Sequence, residues 1–173
     1  PAFDNIKESK VFKYIVEGLQ TNAKPFGEGK VAFTIQSDAA QIESLVFDPT
    51  RNRFFAASAA TGEIFSVDLA GKTKLFISPG KANGIFGVYS MAVDAPRDLL
   101  YVGTTSLPSF KDFDANTFGQ GGIAQFELST GKLRAKYALP FDDKAHVISA
   151  MTVAPNGDVY AVDVATNTVY QLH

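Results

Sequence analysis

The chain of 173 residues carries 16 basic and 18 acidic residues, and its formal charge of −2 provides no basic field for nucleic acid or an anionic membrane. It has no cysteine, which excludes disulfides and thiolate chemistry. No apolar run approaches the ~20 residues of a membrane span. Fifteen Phe and six Tyr with little helical periodicity favour an all-β fold. We expect neither nucleic acid nor a membrane as a partner.

The first 30 residues are predicted to form a polar N-terminal arm that contains one strand, Val11–Val16. Turn residues, among them Pro25 and Gly27, separate this strand from a second one at Val31–Ile35. The second strand is similar to the strands that end the later repeats. We therefore interpret it as the outer strand of a preceding blade.

From residue 42 onward the chain repeats a pattern of short β-branched and aromatic runs separated by turns. The predicted strands are Ile42–Phe47, Arg53–Ser58, Glu63–Val67 and Thr73–Ile77; then Val88–Val93, Leu99–Thr104, Gly122–Leu128 and Leu133–Leu139; then Val147–Val153, Val159–Val162 and Thr168–Leu172. We place the first blade and its preceding strand at 31–87, the second at 88–140 with an insertion at 105–121, and the third, which lacks its outer strand, at 141–173.

The three repeats align in register, with Phe55, Tyr101 and Tyr160 in the second strand of each. A four-stranded unit that recurs every 40–50 residues is typical of a β-propeller. We predict an all-β propeller of three blades in a single domain, with these three rings buried between blades. Since rings have typically 4–8 blades, three are interpreted as half of a six-bladed ring. The other half is either a second copy, giving a homodimer about a two-fold axis, or a missing propeller half on another polypeptide.

Three sequence segments resemble those of a known family: Glu43-Ser44-Leu45-Val46-Phe47-Asp48-Pro49, Tyr89-Ser90-Met91-Ala92-Val93-Asp94 and Met151–Asp163. They are similar to the gluconolactonase, senescence-marker-protein and luciferin-regenerating-enzyme family, over roughly residues 40–173. The resemblance implies a six-bladed propeller, of which this chain is about half, and calcium or another divalent metal in the central channel. Of the family's metal ligands, only the Glu has a match here, at Glu43. Ser149 and Ala150 stand where family sequences often carry Asn-Asp or Gly-Asp.

Other candidate site residues lie at or before the predicted first strands. Tyr89, Ser90 and Ser149 are candidate ligand-binding residues at one end of the blade array. His146 is a candidate general base, and the alternative is a structural, hydrogen-bonded histidine. Phe113 belongs to three Phe in the insertion, which either cap a pocket or contact a partner, or fix the loop to its own blade.

Two functions remain open from the sequence. In the first, a small molecule binds at the central channel and a metal held by Glu43 assists the hydrolysis of a lactone or similar ester. In the second, a non-catalytic propeller binds a ligand or a protein through its top loops, which the absence of an acid at Ala150 favours. We expect a secreted or periplasmic location rather than a cytoplasmic one.

Overall fold

The computed structural model describes residues 2–142 and 144–173. The chain separates into two compact units, one reaching to Ala32 and one from Phe33 to His173. The larger unit contains all the strands. The repeats therefore belong to a unit that is separate from the N-terminal arm.

The N-terminal unit contains a helix, α1 (Lys10–Asn22), where a strand is predicted at Val11–Val16, so that prediction is wrong. Ser9 caps the helix, because its hydroxyl accepts a hydrogen bond from the Phe12 amide at 3.2 Å. Val11, Ile15 and Leu19 recur every four residues, which is the spacing of one helix face. The β-branched content of the segment concealed this spacing.

The larger unit is built from three antiparallel sheets, in each of which the strands follow chain order. The first sheet contains β1 (Ile42–Asp48), β2 (Arg53–Ser58), β3 (Ile64–Val67) and β4 (Thr73–Ile77); the second β5 (Gly87–Asp94), β6 (Leu99–Thr105), β7 (Gly121–Glu127) and β8 (Leu133–Ala138); the third β9 (Ile148–Val153), β10 (Val159–Asp163) and β11 (Thr168–Leu172). These spans confirm the strands predicted from residue 42 onward, and among the described residues the third sheet has the three strands predicted for it.

The predicted strand at Val31–Ile35 is absent, and this prediction is wrong. The chain makes a single parallel bridge there, between Gln36 and Lys72, just before β4. The Phe33 ring packs 5.2 Å from the Phe54 ring, on the side of the first sheet that faces away from the second. Residues 33–36 therefore lie along the first blade and do not belong to a preceding one.

Two apolar cores hold the sheets together, one between the first and second and one between the second and third. Phe55 belongs to the first core and Tyr101 to the second, so the same repeat position faces the following sheet each time. Tyr160 has no following sheet and is 38% exposed, which corrects the prediction that it is buried. In the opposite direction, Met91 contacts the preceding sheet, and its equivalent Leu45 is 50% exposed. The register of the repeats is confirmed, and the two outer sheets each keep an open apolar face.

Ion pairs link neighbouring sheets at the end where the first strands stop. Asp48 is fully buried and contacts Arg51 at 3.3 Å and Arg53 at 3.2 Å. Arg53 also donates to the Leu128 carbonyl of the second sheet at 2.7 Å, and Arg51 contacts Asp98 at 3.0 Å. Burial raises the pKa of Asp48, but hydrogen bonds from Thr50, Arg53 and Arg51 outweigh it and hold the pKa below its usual value. This carboxylate is therefore ionised in the folded protein at neutral pH.

Candidate functional site

The first strand of each sheet forms the inner edge of the blade array. β5 lies against both β1 and β9, so the three first strands run side by side. The end at which they begin is called here the upper end. Because neighbouring strands are antiparallel, the loops after each second strand and before each first strand also meet at the upper end.

Each first strand contains a β-bulge at the same repeat position. The pairing skips Glu43 in β1, Tyr89 in β5 and Ser149 in β9, and each of these residues lies five positions before the turn. A bulge leaves one residue without a cross-strand partner and redirects its side chain, and bulges are common next to binding sites. Three residues predicted for the site from sequence thus occupy equivalent places along the inner edge.

These three bulge residues differ in environment. Glu43 and Ser149 are exposed, whereas Tyr89 is half-buried. The Tyr89 hydroxyl lies 3.1 Å from the Ser109 hydroxyl, which connects the inner edge to the insertion. The three bulge residues together present one carboxylate, one phenol and one aliphatic hydroxyl along the inner edge. In the described residues, no group of three His, Cys, Asp or Glu side chains is placed to hold a metal ion.

Ser90, which follows the bulge in β5, is 4% exposed and faces the third sheet. Its hydroxyl donates to the Ile148 carbonyl at 2.6 Å. Gly103 on the neighbouring strand provides the space, since a Cβ there would lie 2.5 Å from the Ser90 oxygen. The structure thus places this predicted ligand-binding residue between two blades, where its hydroxyl proton is engaged in the bond to Ile148.

A second repeated feature, which sequence reasoning missed, closes the upper end of each second strand. Ser58, Thr104 and Asp163 occupy equivalent positions and bond to backbone groups at the start of a first strand or just before it. Their partners are the Ala40 carbonyl at 2.5 Å, the Gly87 carbonyl at 3.1 Å and the Val147 amide at 3.0 Å. Three different residue types serve one role, so residue identity alone gave no signal of the repeat.

His146 lies at the upper end of the third sheet and is 4% exposed. Its Nδ1 atom is 2.7 Å from Asp163 Oδ2, and its Nε2 atom is 3.4 Å from Asp142 Oδ1. Its backbone amide donates to the Gly119 carbonyl, and its carbonyl accepts from the Thr105 hydroxyl at 2.7 Å. His146 is therefore fixed on several sides, and it is not one of the three bulge residues.

The insertion between β6 and β7 folds back over the upper end of the first two sheets. Phe110 is buried with its ring edge-on to Phe86 at 6.2 Å, and the Lys111 amide donates to the Ala60 carbonyl. Phe113 is half-buried and packs edge-on against Phe118 at 6.5 Å. Phe110 thus attaches the loop to neighbouring blades, while Phe113 and Phe118 pack on each other.

A pocket of about 710 Å³ opens between this insertion and the loop that joins β4 to β5. Strands β7 and β8 form its floor. Apolar side chains line it together with four charged groups: Ile85, Phe86, Phe110, Ile123 and Tyr137 with Lys81, Lys136, Asp112 and Asp114. Its volume lies within the range of small-molecule sites, about 300–1,000 Å³, and the mixed lining is also typical of them.

Solved structures share this architecture. One chain of a crystal structure of a nidogen/laminin complex matches with a TM-score of 0.55 and 13% identity, covering 79% of this chain and 44% of that one. The extracellular domain of the putative one component system BT4673 from B. thetaiotaomicron matches with a TM-score of 0.53 and 19% identity, covering 76% and 15%. At these identities the likeness shows the fold alone. The class is an all-β, propeller-type repeat, and the chain spans less than half of each of these neighbours.

No family model matches the chain, and no curated protein matches its sequence. The resemblance to the gluconolactonase family is therefore supported only at the level of the propeller fold. Among the described residues, α1 is too short and too polar to cross a membrane.

Proposed function

We propose that this protein is a non-catalytic propeller that binds a ligand through the loops of its upper end. The observation that carries the proposal is the pocket of about 710 Å³ between the insertion and the loop of residues 79–86. Binding residues are found disproportionately on loops that a rigid scaffold positions. Phe110 contributes both to the wall of this pocket and to the attachment of the insertion.

The lining indicates the chemistry of the ligand. The aromatic and aliphatic walls favour an apolar body of drug-like size. Lys81 and Lys136 supply positive charge at the rim, where both are exposed. The Lys136 ammonium is 3.5 Å from the Ala82 carbonyl, a contact weak enough to be exchanged for an anionic group. We propose an amphipathic small molecule that carries an anionic group.

Lactone hydrolysis assisted by calcium is the second candidate, and it follows from the family resemblance. Calcium takes six to eight oxygen ligands, and carboxylates provide much of the affinity. The bulge residues equivalent to Glu43 are Tyr89 and Ser149, neither of which is a carboxylate. The donors that the described residues supply do not fit such a centre, so we derive no hydrolytic step from it.

The open faces of the outer sheets support a further partner. Leu45, Phe47 and Leu75 on the first sheet are 41–50% exposed, and Tyr160, Val162 and Val169 on the third are 38–62% exposed. Apolar sheet faces of this kind are stabilised when another sheet packs on them. We propose that further blades, supplied by a second copy of the chain, cover both faces in a closed two-fold ring. A secreted or periplasmic location is proposed as well, since one structural neighbour is an extracellular domain.

A fluorescent probe with the proposed chemistry tests the pocket. Anilinonaphthalene sulfonate has an apolar ring system and one anionic group, and its emission rises when it enters an apolar site. We expect Lys136→Gln to weaken probe binding by about fivefold or more, since one charge contact is removed. Lys132→Gln is the matched control, because Lys132 is an exposed lysine just before the same strand and does not line the pocket. Equal affinities for the two variants would contradict the proposal. The probe would then be binding outside the pocket, for example on the open apolar sheet faces, where neither substitution changes its affinity.

A further inference from the structure

The proposed function assigns no role to the imidazole of His146, which lies buried at the upper end of the third sheet. Asp163 accepts three hydrogen bonds besides the one from the ring: from the Val147 and Ala165 amides at 3.0 and 3.1 Å and from the Thr166 hydroxyl at 2.8 Å. The two amides can only donate, and with the Thr166 hydroxyl they leave Asp163 acting as an acceptor on both oxygens, so Nδ1 of His146 donates to it.

Among the described residues, the other ring nitrogen has no hydrogen bond of good geometry, although a carboxylate oxygen lies 3.4 Å away. Nε2 of His146 is fully buried and makes no hydrogen bond in the described part of the protein. In a neutral imidazole whose Nδ1 carries the proton, Nε2 presents a lone pair. The group nearest to this lone pair is a carboxylate oxygen, Asp142 Oδ1, at 3.4 Å. Two acceptors that face each other repel, unless a cation or a proton lies between them.

The separation of these two atoms matches that of two ligands on one metal ion. Zinc binds imidazole nitrogen and carboxylate oxygen at about 2.0–2.2 Å in tetrahedral geometry, which places two ligand atoms about 3.3–3.5 Å apart. A histidine that binds metal through Nε2 commonly donates its other N–H to a carboxylate, which fixes the ring. Asp163 meets that second requirement at 2.7 Å.

We propose that His146 Nε2 and the Asp142 carboxylate bind a divalent transition-metal ion of the zinc class, with Asp163 as the residue that orients the imidazole. These are two protein ligands among the described residues, and we propose that water fills the remaining positions, which makes the ion exchangeable. The Asp142 side chain is 48% exposed, which gives the ion a route from solvent. The bound ion joins two residues of the loop before β9, while Asp163 at the end of β10 holds the imidazole in place.

Zinc chloride added to tag-free protein tests the site by calorimetry and by the ring signals of the two histidines. Asp142→Asn retains the acceptor for the Lys144 amide, which lies 2.8 Å from Asp142 Oδ1, and removes the charged ligand. We expect this variant to bind zinc at least about tenfold more weakly. His173→Gln is the matched control, because His173 forms the other His–Asp contact, 2.9 Å from Asp158, on the exposed C-terminal side.

The expected result is a zinc-dependent change in the His146 ring signals that His173→Gln retains and Asp142→Asn loses. Unchanged zinc affinity in Asp142→Asn would overturn the proposal. So would a zinc response that disappears in His173→Gln, because the ion would then sit at the terminus. A His146 ring that carries protons on both nitrogens and ignores zinc would overturn it too, since a proton would then bridge the two carboxylates.

Discussion

The repeat register predicts that truncating Tyr101 and Tyr160, which occupy the same repeat position, lowers the free energy of unfolding by different amounts. Tyr101 is 5% exposed between the second and third sheets, whereas Tyr160 is 38% exposed on the open face of the third. An aromatic side chain buries about 150–250 Å², and at about 25 cal/mol per Å² its full burial contributes about 4–6 kcal/mol. We therefore expect Tyr101→Ala to lower the free energy of unfolding by about 3–5 kcal/mol.

At protein concentrations at which the chain is monomeric, Tyr160→Ala is expected to cost less, about 2–3 kcal/mol, because 38% of the residue stays exposed there. Gln125 donates to the Tyr101 hydroxyl at 3.0 Å, so Tyr101→Phe separates this hydrogen bond, worth about 1 kcal/mol, from the packing. Urea unfolding of the three variants gives the costs from shifts in midpoint. Equal costs for Tyr101→Ala and Tyr160→Ala in the monomeric chain would refute the assignment of the open face. A Tyr160 cost that grows with protein concentration would indicate that a second copy covers this face.

The remaining predictions concern acid stability and calcium. Because hydrogen bonds hold the pKa values of Asp48 and Asp163 below 3.8, they stabilise the fold above the unfolded pKa of about 3.9, and this contribution is lost as pH falls through the lowered native values. Urea unfolding should therefore show a steep loss of stability below about pH 4, and a shallower one in Asp163→Asn. In calcium titrations followed by thermal unfolding, a ligand role for Glu43 requires a smaller shift in Glu43→Gln than in wild type. Equal shifts would remove Glu43 from any calcium site.

The strands from residue 42 onward were predictable because local signals and packing agree there. Turn residues such as Asn52 and Gly131 adopt positive φ and separate runs of β-forming residues. The helix at Lys10–Asn22 was missed because its β-branched residues, among them Val11 and Ile15, favour a strand on composition alone. Its cap at Ser9 and its four-residue spacing were the signals that would have identified it.

The site was only partly predictable, for a physical reason. The repeat alignment places Glu43, Tyr89 and Ser149 at equivalent positions, and the structure shows that they share a bulge. The pairing of His146 with Asp163 joins residues 17 positions apart across a sheet, and no local pattern predicts it. The pocket depends on where the insertion folds, which is decided by long-range contacts such as Phe110 against Phe86.

The molar mass of the purified 173-residue chain in solution tests most directly whether its sheets are blades of a larger closed ring. The open faces carry exposed apolar residues at both ends of the array, from Leu45 on the first sheet to Val169 on the third. Light scattering during size-exclusion chromatography should give twice the mass of one chain, and Tyr160→Glu should reduce this mass to that of a single chain by placing a charge in the buried face. A soluble monomer of wild-type sequence that unfolds cooperatively would contradict the account, because its exposed sheet faces would then need no partner.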